Sequence, residues 1–353
     1  MILYGTKRYD YLDLFKLIAI LMIISLHVLL WRTNFIVKEN FSSLIQWCLR
    51  LLMEGVPIFV FINGFLIIGK ENLSVEKHYK KVFRIFALYL FWGIITYSIT
   101  SLIYFGNINV SALINNIRSI STTSPFTGHL WFLQFLIALY LLYPLINNTY
   151  INDEKSYNLF LIIIAFFTFF PSLLDLVFPN NLFNAFIGKF ISFSPINHLI
   201  FLFYFMFGGF CKRNIDWFKK RRVSLIAITI ILYFLSCAFG IYKSYANNVV
   251  FRENYIYYQV VFAFITVGIL MLIINYKNKN KLHNKIIKSI GENTLGLYLI
   301  HPLVICIFHK ILHIYNYASF LSRFGALLLV FITTYLIVLL ISKIPKVNTI
   351  IKL

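Results

Sequence analysis

Charged residues are scarce in this sequence, and acidic residues are the scarcest of them. Asp and Glu together supply 12 of the 353 residues, while 60% of the chain is hydrophobic and 12% is charged. A soluble domain of this length needs a much more polar surface, so the soluble classes are excluded. Runs of about twenty apolar residues recur along the chain, which is the pattern of membrane-spanning helices. We therefore predict an all-α, polytopic integral membrane protein.

Cysteine is also rare, and its four copies stand singly. Cys48, Cys211, Cys237 and Cys306 form no CxxC pair and no spacing typical of a disulfide framework. We interpret them as small buried hydrophobic side chains. The first apolar run lacks a small-x-small cleavage site, and no soluble domain, linker or repeat interrupts the chain. These absences predict a single transmembrane domain over residues 1–353.

The basic residues indicate how the predicted spans are oriented. Of the 32 Lys and Arg residues, 22 fall in segments that face the cytoplasm if the N terminus does, and 8 fall in the outer segments. This asymmetry predicts cytoplasmic N and C termini in a multi-pass protein of the cell membrane. It also accounts for the net charge of +20, so we expect the lipid bilayer as a partner and no nucleic acid. The ten predicted spans are 11–32, 43–68, 82–106, 129–146, 157–178, 196–211, 223–243, 256–275, 293–313 and 323–342.

The first span holds two basic side chains on one helix face. His27 follows Lys16 by eleven residues, about three α-helical turns and about 16 Å along the axis. With the N terminus inside, His27 lies in the outer half of a membrane core roughly 30 Å thick. A titratable pair so placed must face protein or water. Two interpretations stay open: proton chemistry on a substrate, or a polar helix contact with Lys16 reaching to the interface.

The second span combines an acidic residue with two helix-disturbing ones. Glu54 stands four residues after Arg50, a spacing at which the two charges can neutralise each other on a helix. Pro57 lacks a backbone N–H, and Gly64 permits a close approach of another helix. We therefore expect this span to be kinked or broken there.

Two later histidines are not explained by anchoring alone. The fourth span opens with His129 and Trp131, and an aromatic belt at the outer interface explains the indole but not the imidazole. His301 falls near mid-membrane, directly before Pro302, which we expect to break the helix. A polar side chain at that depth needs a partner or a cavity.

A basic pair begins the third span. Lys81 and Arg84 lie three residues apart on one helix face, near the predicted cytoplasmic surface. Anchoring by the positive-inside rule is enough to explain their charge. A second interpretation is a clamp for phosphate, because an adjacent ammonium and guanidinium suit phosphate oxygens.

No metal site is predicted. His309 and His313 have an i, i+4 spacing that zinc ligands can adopt. A zinc site needs at least a third protein ligand, and no carboxylate stands near these two residues.

Five segments occur in one order over about residues 10–305. They are Asp13-Leu-Phe-Lys16 with His27, Pro57-Ile-Phe-Val-Phe-Ile-Asn63-Gly64-Phe65-Leu, Lys81-Val-Phe-Arg84, His129-Leu-Trp131-Phe-Leu and Tyr298-Leu-Ile-His301-Pro302. Together they resemble the acyltransferase 3 family of integral membrane acyltransferases. The corresponding family segments are Asp-Gly-Leu-Arg with a histidine ten residues later, a segment that begins with Pro and ends with Ser-Gly-Phe, Arg-x-x-Arg, His-Leu-Trp and Tyr-Leu-x-His-Pro. Lys16 and Lys81 stand where arginines are usual, and Asn63 stands where serine is common.

The resemblance implies an acyl-CoA-dependent O-acyltransferase. The donor would be cytoplasmic acyl-CoA, usually acetyl-CoA, and the acceptor a hydroxyl of a cell-envelope polysaccharide or another extracytoplasmic molecule. His27 would act as general base or carry the acyl group, and the sequence leaves both roles open. By matched position, the implied residues are His27, Lys16, Asp13 and His129 for catalysis, Lys16, Lys81 and Arg84 for the donor, and Asn63, Trp131 and His301 for the acceptor. Glu54, a charged residue inside the second span and outside the matched segments, is also predicted to bind the acceptor.

Two other classes of function compete with this interpretation. A secondary transporter or flippase of envelope polysaccharide precursors would also have broken helices and intramembrane charges, but the chain has no detectable inverted repeat. A purely structural partner in a polysaccharide-export complex would leave the histidines inside the spans without a purpose. The ordered segments favour the enzyme.

Overall fold

Helices form all the regular structure that is described. The computed structural model describes residues 9–29, 48, 52–119, 128–177, 196–247, 255–277, 281–310 and 320–352, and no strand occurs among them. The chain forms two compact units: unit 1 comprises residues 1–31, 72–144 and 278–353, and unit 2 comprises 32–71 and 145–277. Both units are discontinuous in sequence, and the expectation of a single domain stays a prediction.

Twelve α-helices and two short 3₁₀ turns make up the described structure. The 3₁₀ turns are Gly128–Leu130 and Val347–Ile350. The α-helices are α1 (Asp10–Leu29), α2 (Gly55–Ile67), α3 (Val75–Phe105), α4 (Val110–Ser119), α5 (Trp131–Asn152), α6 (Glu154–Val177), α7 (Ile196–Arg213), α8 (Ile215–Lys220), α9 (Arg222–Asn247), α10 (Tyr255–Ile273), α11 (Lys281–Lys310) and α12 (Phe320–Lys343).

The long helix α3 illustrates how local sequence sets the helix ends. The Ser74 side chain accepts a hydrogen bond from the backbone N–H of Lys77 at 3.4 Å, which satisfies one of the unpaired donors of the first turn. At the other end, Gly106 adopts a left-handed conformation with φ 72°, which a residue with a side chain rarely takes. The 31 residues between these two caps are enough to cross a membrane.

The predicted spans coincide with helices at all ten places. Six of these helices are long and apolar enough to cross a membrane, and the protein is a multi-pass membrane protein. The count of ten and the cytoplasmic location of both termini stay predictions. The six helices are Asp10–Leu29, Val75–Phe105, Gly128–Asn152, Arg222–Tyr242, Asn284–Lys310 and Ser322–Lys343.

The expected break in the second span is present, whereas the expected break at Pro302 is not. Residues 52–54 are not helical, so the second span is broken just before α2, which has Pro57 in its first turn. There the missing N–H of Pro57 has no helical partner to lose. Pro302 lies inside α11, which continues to Lys310, so the expected break after His301 is wrong. Arg50 lies outside the described residues, and its pairing with Glu54 stays a prediction.

Two glycines in unit 2 bring helices α2 and α7 into backbone contact. A Cβ added at Gly64 would overlap the carbonyl oxygen of Phe205, and one added at Gly208 would overlap that of Phe61. The expectation that Gly64 permits a close approach is therefore confirmed. Membrane helices gain van der Waals contact in this way, because lipid provides no hydrophobic force to hold them together.

We expect Gly64→Ala to destabilise the protein, because α2 and α7 would have to move apart. Overpacking of this kind costs about 1–3 kcal/mol, and the thermal midpoint of the detergent-purified protein should fall. The matched control is Gly325→Ala in α12, where a Cβ meets no atom within 4 Å. That change should be neutral or stabilising by up to about 1 kcal/mol. Equal midpoints for both variants would contradict the close packing.

Helices α1, α3 and α11 of unit 1 run in the same direction. The Tyr104 hydroxyl lies 3.1 Å from His309 Nδ1, so α3 and α11 end at the same side. Arg323 at the start of α12 donates to the carbonyl of Leu29 at the end of α1, at 3.3 Å, so α12 runs the opposite way to α1. These directions agree with the alternation of the predicted spans.

Cysteine labelling tests the predicted orientation. Ile108, just beyond the end of α3, and Lys285, near the start of α11, are both exposed and lie at opposite ends of unit 1. A membrane-impermeant maleimide added to whole cells should label Ile108→Cys and should not label Lys285→Cys until the membrane is permeabilised. The parent chain measures the background of its own cysteines. The reverse pattern would overturn the orientation.

Candidate functional site

Three histidines from distant parts of the sequence meet inside unit 1. The ring centroids of His27 and His301 lie 5.4 Å apart, and those of His129 and His301 lie 6.0 Å apart. His301 is fully buried, His129 is 8% exposed and His27 is half-buried. We call these three residues the histidine cluster. The expectation that His301 needs a partner is met by the other two imidazoles.

Helix α11 determines the tautomer of the central imidazole. His301 Nδ1 lies 3.1 Å from the carbonyl oxygen of Leu297, one turn earlier. A carbonyl can only accept, so Nδ1 carries the proton and, in the neutral ring, Nε2 carries the lone pair. Nε2 is buried and has no hydrogen-bond partner among the residues that the structure describes. The arrangement leaves a lone pair inside the cluster that is available to accept a hydrogen bond.

Tyr298 is a further member of this site that the sequence interpretation did not single out. Its hydroxyl donates to the carbonyl oxygen of His129, and its ring lies 5.7 Å from the ring of His129 and 6.0 Å from that of His301. It stands three residues before His301 on α11, which places both on one face. It begins the family-like segment Tyr298-Leu-Ile-His301-Pro302, but no role was assigned to it, because a tyrosine inside an apolar helix is common.

Helices α1 and α11 carry two of the three cluster histidines and, at a different depth, a buried ion pair. Lys16 Nζ lies 3.6 Å from Asp13 Oδ1, with only 11% and 8% of the two side chains exposed. A Cβ added at Gly291 would lie 2.6 Å from Asp13 Oδ1, so this carboxylate packs directly on α11. From Asp13 to His27 the helix rises by about 21 Å. Lys16 is therefore held by Asp13 inside the protein, which differs from the interpretation that it reaches out to the interface.

The basic pair of α3 contacts the protein at two points. The Lys81 ammonium lies 5.1 Å from the centre of the Tyr140 ring, a cation–π distance. Arg84 Nη2 donates to the carbonyl oxygen of Thr349 at 3.3 Å. Both side chains are half-buried. They are ordered by the protein and still reach its surface.

The segment after α12 shows that all three cations lie toward the same end of unit 1. Besides its contact with Arg84, this segment accepts a hydrogen bond from Trp92 Nε1 of α3 at the Ile350 carbonyl, at 2.7 Å. Its Ile351 packs on Gly296, at the middle of α11. Asp13 contacts α11 nearer its start, at Gly291, and α1, α3 and α11 run in the same direction, so Lys16 lies toward the same end as the α3 pair.

The predicted acceptor residues are distributed over both units. Trp131 begins α5 in unit 1, two residues after His129, and is half-buried. Glu54 and Asn63 belong to unit 2. Glu54 directly precedes α2, and Asn63 Nδ2 donates to the Phe59 carbonyl of its own helix at 2.9 Å.

The described side chains contain no group suited to a metal. No three His, Cys, Asp or Glu residues among them are arranged to hold an ion. His309 lies beside the Tyr104 hydroxyl, and His313 lies outside the described residues.

A family model settles which class of protein has this arrangement. The acyltransferase 3 model, described as an acyltransferase domain, matches residues 9–343, nearly the whole chain. The chain belongs to the acyltransferase 3 family. This membrane acyltransferase therefore has the identity that its ordered segments predicted. No curated protein and no solved structure matches the chain significantly.

Acyl transfer places two demands on a site in this acyltransferase. A group must take the proton of the attacking hydroxyl, and neutral imidazole is suited to that task near neutral pH. If the donor carries negative charge, cations must also hold it. The histidine cluster can meet the first demand, and the end of unit 1 with Lys16, Lys81 and Arg84 can meet the second.

Proposed function

We propose that this acyltransferase moves an acyl group, acetyl as the first choice, from cytoplasmic acyl-CoA to a hydroxyl of a cell-envelope polysaccharide or a similar extracytoplasmic acceptor. The observation that carries the proposal is the histidine cluster, joined by α1 and α11 to the buried ion pair of Asp13 and Lys16. One helix pair thus connects a basic end, suited to phosphates, with an imidazole site deeper in the unit.

The donor is assigned to the basic end. Lys81 and Arg84 hold the phosphates of CoA by charge-assisted hydrogen bonds, and Lys16 lies deeper in the unit. Because Lys16 is paired with Asp13, the two charges largely cancel, and Lys16 assists the donor through its N–H groups rather than through net charge. The acyl group then lies further along α1, toward His27.

The chemistry assigned to the cluster is a single displacement. The acceptor oxygen attacks the thioester carbonyl carbon and a new ester bond forms, while the carbon–sulfur bond breaks and CoA leaves as its thiolate. His27 takes the proton of the attacking hydroxyl, and that proton passes to the thiolate or to solvent. His301 and His129 orient the acceptor and His27, and the Tyr298 hydroxyl holds the backbone at His129.

Mass spectrometry of envelope glycans, with and without the gene, tests the proposal. Cells that lack the gene should lose one ester-linked acyl group, and the wild-type gene should restore it. The purified protein in nanodiscs should release free CoA thiol from acetyl-CoA when the acceptor glycan is present. Loss of glycan export with acylation intact would support a transporter instead.

The donor end makes its own prediction. We expect Lys81→Ala and Arg84→Ala each to raise KM for acyl-CoA, with a loss of about 1–3 kcal/mol per charge-assisted contact. Lys80→Ala is the matched control, because Lys80 is on the same helix but its side chain is 74% exposed and pairs with Glu76. The readout is KM and kcat for CoA release in nanodiscs.

Two further variants complete this test. Lys16→Arg should keep activity, because it retains the charge beside Asp13 and restores the residue usual in the family. The double variant of Lys81 and Arg84 should still insert and melt like the parent. If that double variant keeps the parent's KM for acyl-CoA, the pair serves only as a topology anchor.

A further inference from the structure

Unit 2 contains an apolar cavity that acyl transfer does not use. Its volume is about 360 Å³, within the range of roughly 300–1,000 Å³ common for small-molecule sites. Its walls come from α7, α8, α9 and α10. They include Phe207, Phe210, Trp217, Leu225, Ala263 and Val267.

The cavity opens near the helix ends that meet at α8. Arg222, the first residue of α9, donates to the Met271 carbonyl at 2.6 Å, so the start of α9 and the end of α10 lie together. Along α10 the lining residues extend from Val267 to Ala263, four residues or about 6 Å. Beside them Thr229 of α9 donates to the Phe264 carbonyl at 2.9 Å and holds the two helices in contact. We call this cavity between the four helices the slot.

One wall of the slot belongs to a helix that faces lipid. On α9, a group of large apolar side chains is at least 50% exposed, and α9 is one of the helices able to cross a membrane. In a bilayer such a surface lies in the hydrocarbon. The slot therefore adjoins a helix whose outer face contacts the acyl chains of the bilayer. The exposed residues are Ile230, Ile231, Phe234 and Leu235.

The mouth of the slot is strongly basic. Residues 212–222 contain six Lys and Arg residues and a single acidic residue, Asp216. Lys219 Nζ lies 3.6 Å from Asp216 Oδ1, and the Arg221 guanidinium lies 4.3 Å above the Trp217 ring. Trp217 lines the slot and is still 48% exposed. An indole with a basic residue above it is typical of the headgroup level of a membrane.

We propose that this slot binds one anionic phospholipid of the bilayer. An acyl tail fills the space between α7, α9 and α10, and the phosphate lies at the mouth beside Lys219, Lys220 and Arg221. A zwitterionic lipid could supply the same tail, but it would leave the excess positive charge at the mouth uncompensated. Basic clusters at the ends of membrane helices attract anionic lipid for this reason. The site is independent of the acyl-transfer proposal.

Quenching of Trp217 by chain-brominated lipids tests the proposal. The full-length protein is placed in nanodiscs of phosphatidylcholine that contain increasing fractions of brominated phosphatidylglycerol or brominated phosphatidylcholine. The signal of Trp217 is the difference between the parent and Trp217→Phe. Half-quenching should occur at a several-fold lower fraction of the brominated phosphatidylglycerol.

Two pairs of variants separate the headgroup from the tail. Lys219→Gln with Lys220→Gln should weaken the preference for phosphatidylglycerol by about fivefold per lysine. Its control is Lys80→Gln with Lys155→Gln, which removes equal charge from exposed positions elsewhere. Ala263→Phe should fill the slot and remove the quenching by both lipids, whereas Ile228→Phe, at an exposed position of α9, should not. Arg221 is kept, because its contact with Trp217 would alter the fluorescence itself.

Each outcome supports or overturns the site. A preference for phosphatidylglycerol that needs both lysines and an open slot supports it. Equal quenching by the two lipids means that an unselected lipid covers this surface, and the anionic site is then wrong. Quenching that survives Ala263→Phe, in a variant that melts like the parent, means that the slot does not take the tail.

Discussion

His27→Gln should insert and melt like the parent and yet transfer almost no acyl group. Glutamine can hydrogen-bond beside His301, so the contact at 5.4 Å between the two rings is replaced by a polar side chain of similar size. It cannot take a proton at neutral pH. Removing a general base lowers the rate by about 10²–10⁴-fold, and the measurement is CoA release per molecule of folded protein in nanodiscs.

The choice of substitution makes this test specific. His27→Ala should lose activity to the same degree, but it also removes a half-buried side chain from the cluster. His309→Gln is a matched control, since it makes the same chemical change on α11 at a histidine outside the cluster. Acylation near the parent's rate by His27→Gln would reduce His27 to a structural residue.

Substitution of His301 is expected to give the second large effect. Two different substitutions separate the role of its Nδ1 from that of its Nε2. Asparagine keeps a donor near the position of Nδ1, which bonds Leu297, and removes the group at Nε2. Glutamine keeps a polar group near the position of Nε2. If Nε2 contacts the reacting groups, His301→Asn should lower kcat roughly 100-fold, while His301→Gln should keep more activity.

If the activities of these two variants rank in the opposite order, His301 has a different role. If His301→Asn is nearly as active as the parent and His301→Gln is not, the residue serves to bond the Leu297 carbonyl within α11. A thermal melt of each variant separates this role from loss of folding. The residue then contributes to helix structure, and His129 becomes the neighbour of His27 to test next.

The sequence singled out individual polar residues of the candidate site, but it did not show which residues lie next to them in the fold. His27, Lys16 and His129 stand out because each is a polar side chain in a long apolar run, where it is costly without a partner. That His301 is the partner of His27 could not be predicted, since their helices lie at opposite ends of the sequence. Tyr298 was recognised only as part of a matching segment and was assigned no role, because the chain contains 23 tyrosines and a tyrosine in a membrane helix is not unusual.

The helix breaks were predicted less well than the helices. Apolar length alone locates a membrane helix, and helices occur at every predicted span. A proline, by contrast, disturbs a helix only when it lies well inside one and its neighbours do not satisfy the backbone. The second span is broken just before the helix that contains Pro57, whereas Pro302 is accommodated within α11. Both outcomes depend on where helices begin and how they pack, which spacing does not reveal.

The buried pair of Asp13 and Lys16 also bears on how the protein is made. Helix α1 emerges from the ribosome early, but the helix that packs on it, α11, follows about 270 residues later. At about 5–20 residues per second, α1 waits roughly 14–55 s for that partner. An isolated charge would make the position of α1 in the bilayer energetically unfavourable throughout this interval. Because the carboxylate and the ammonium lie on the same helix, three residues apart, α1 carries its own counter-ion and can remain in the membrane until the rest of unit 1 arrives.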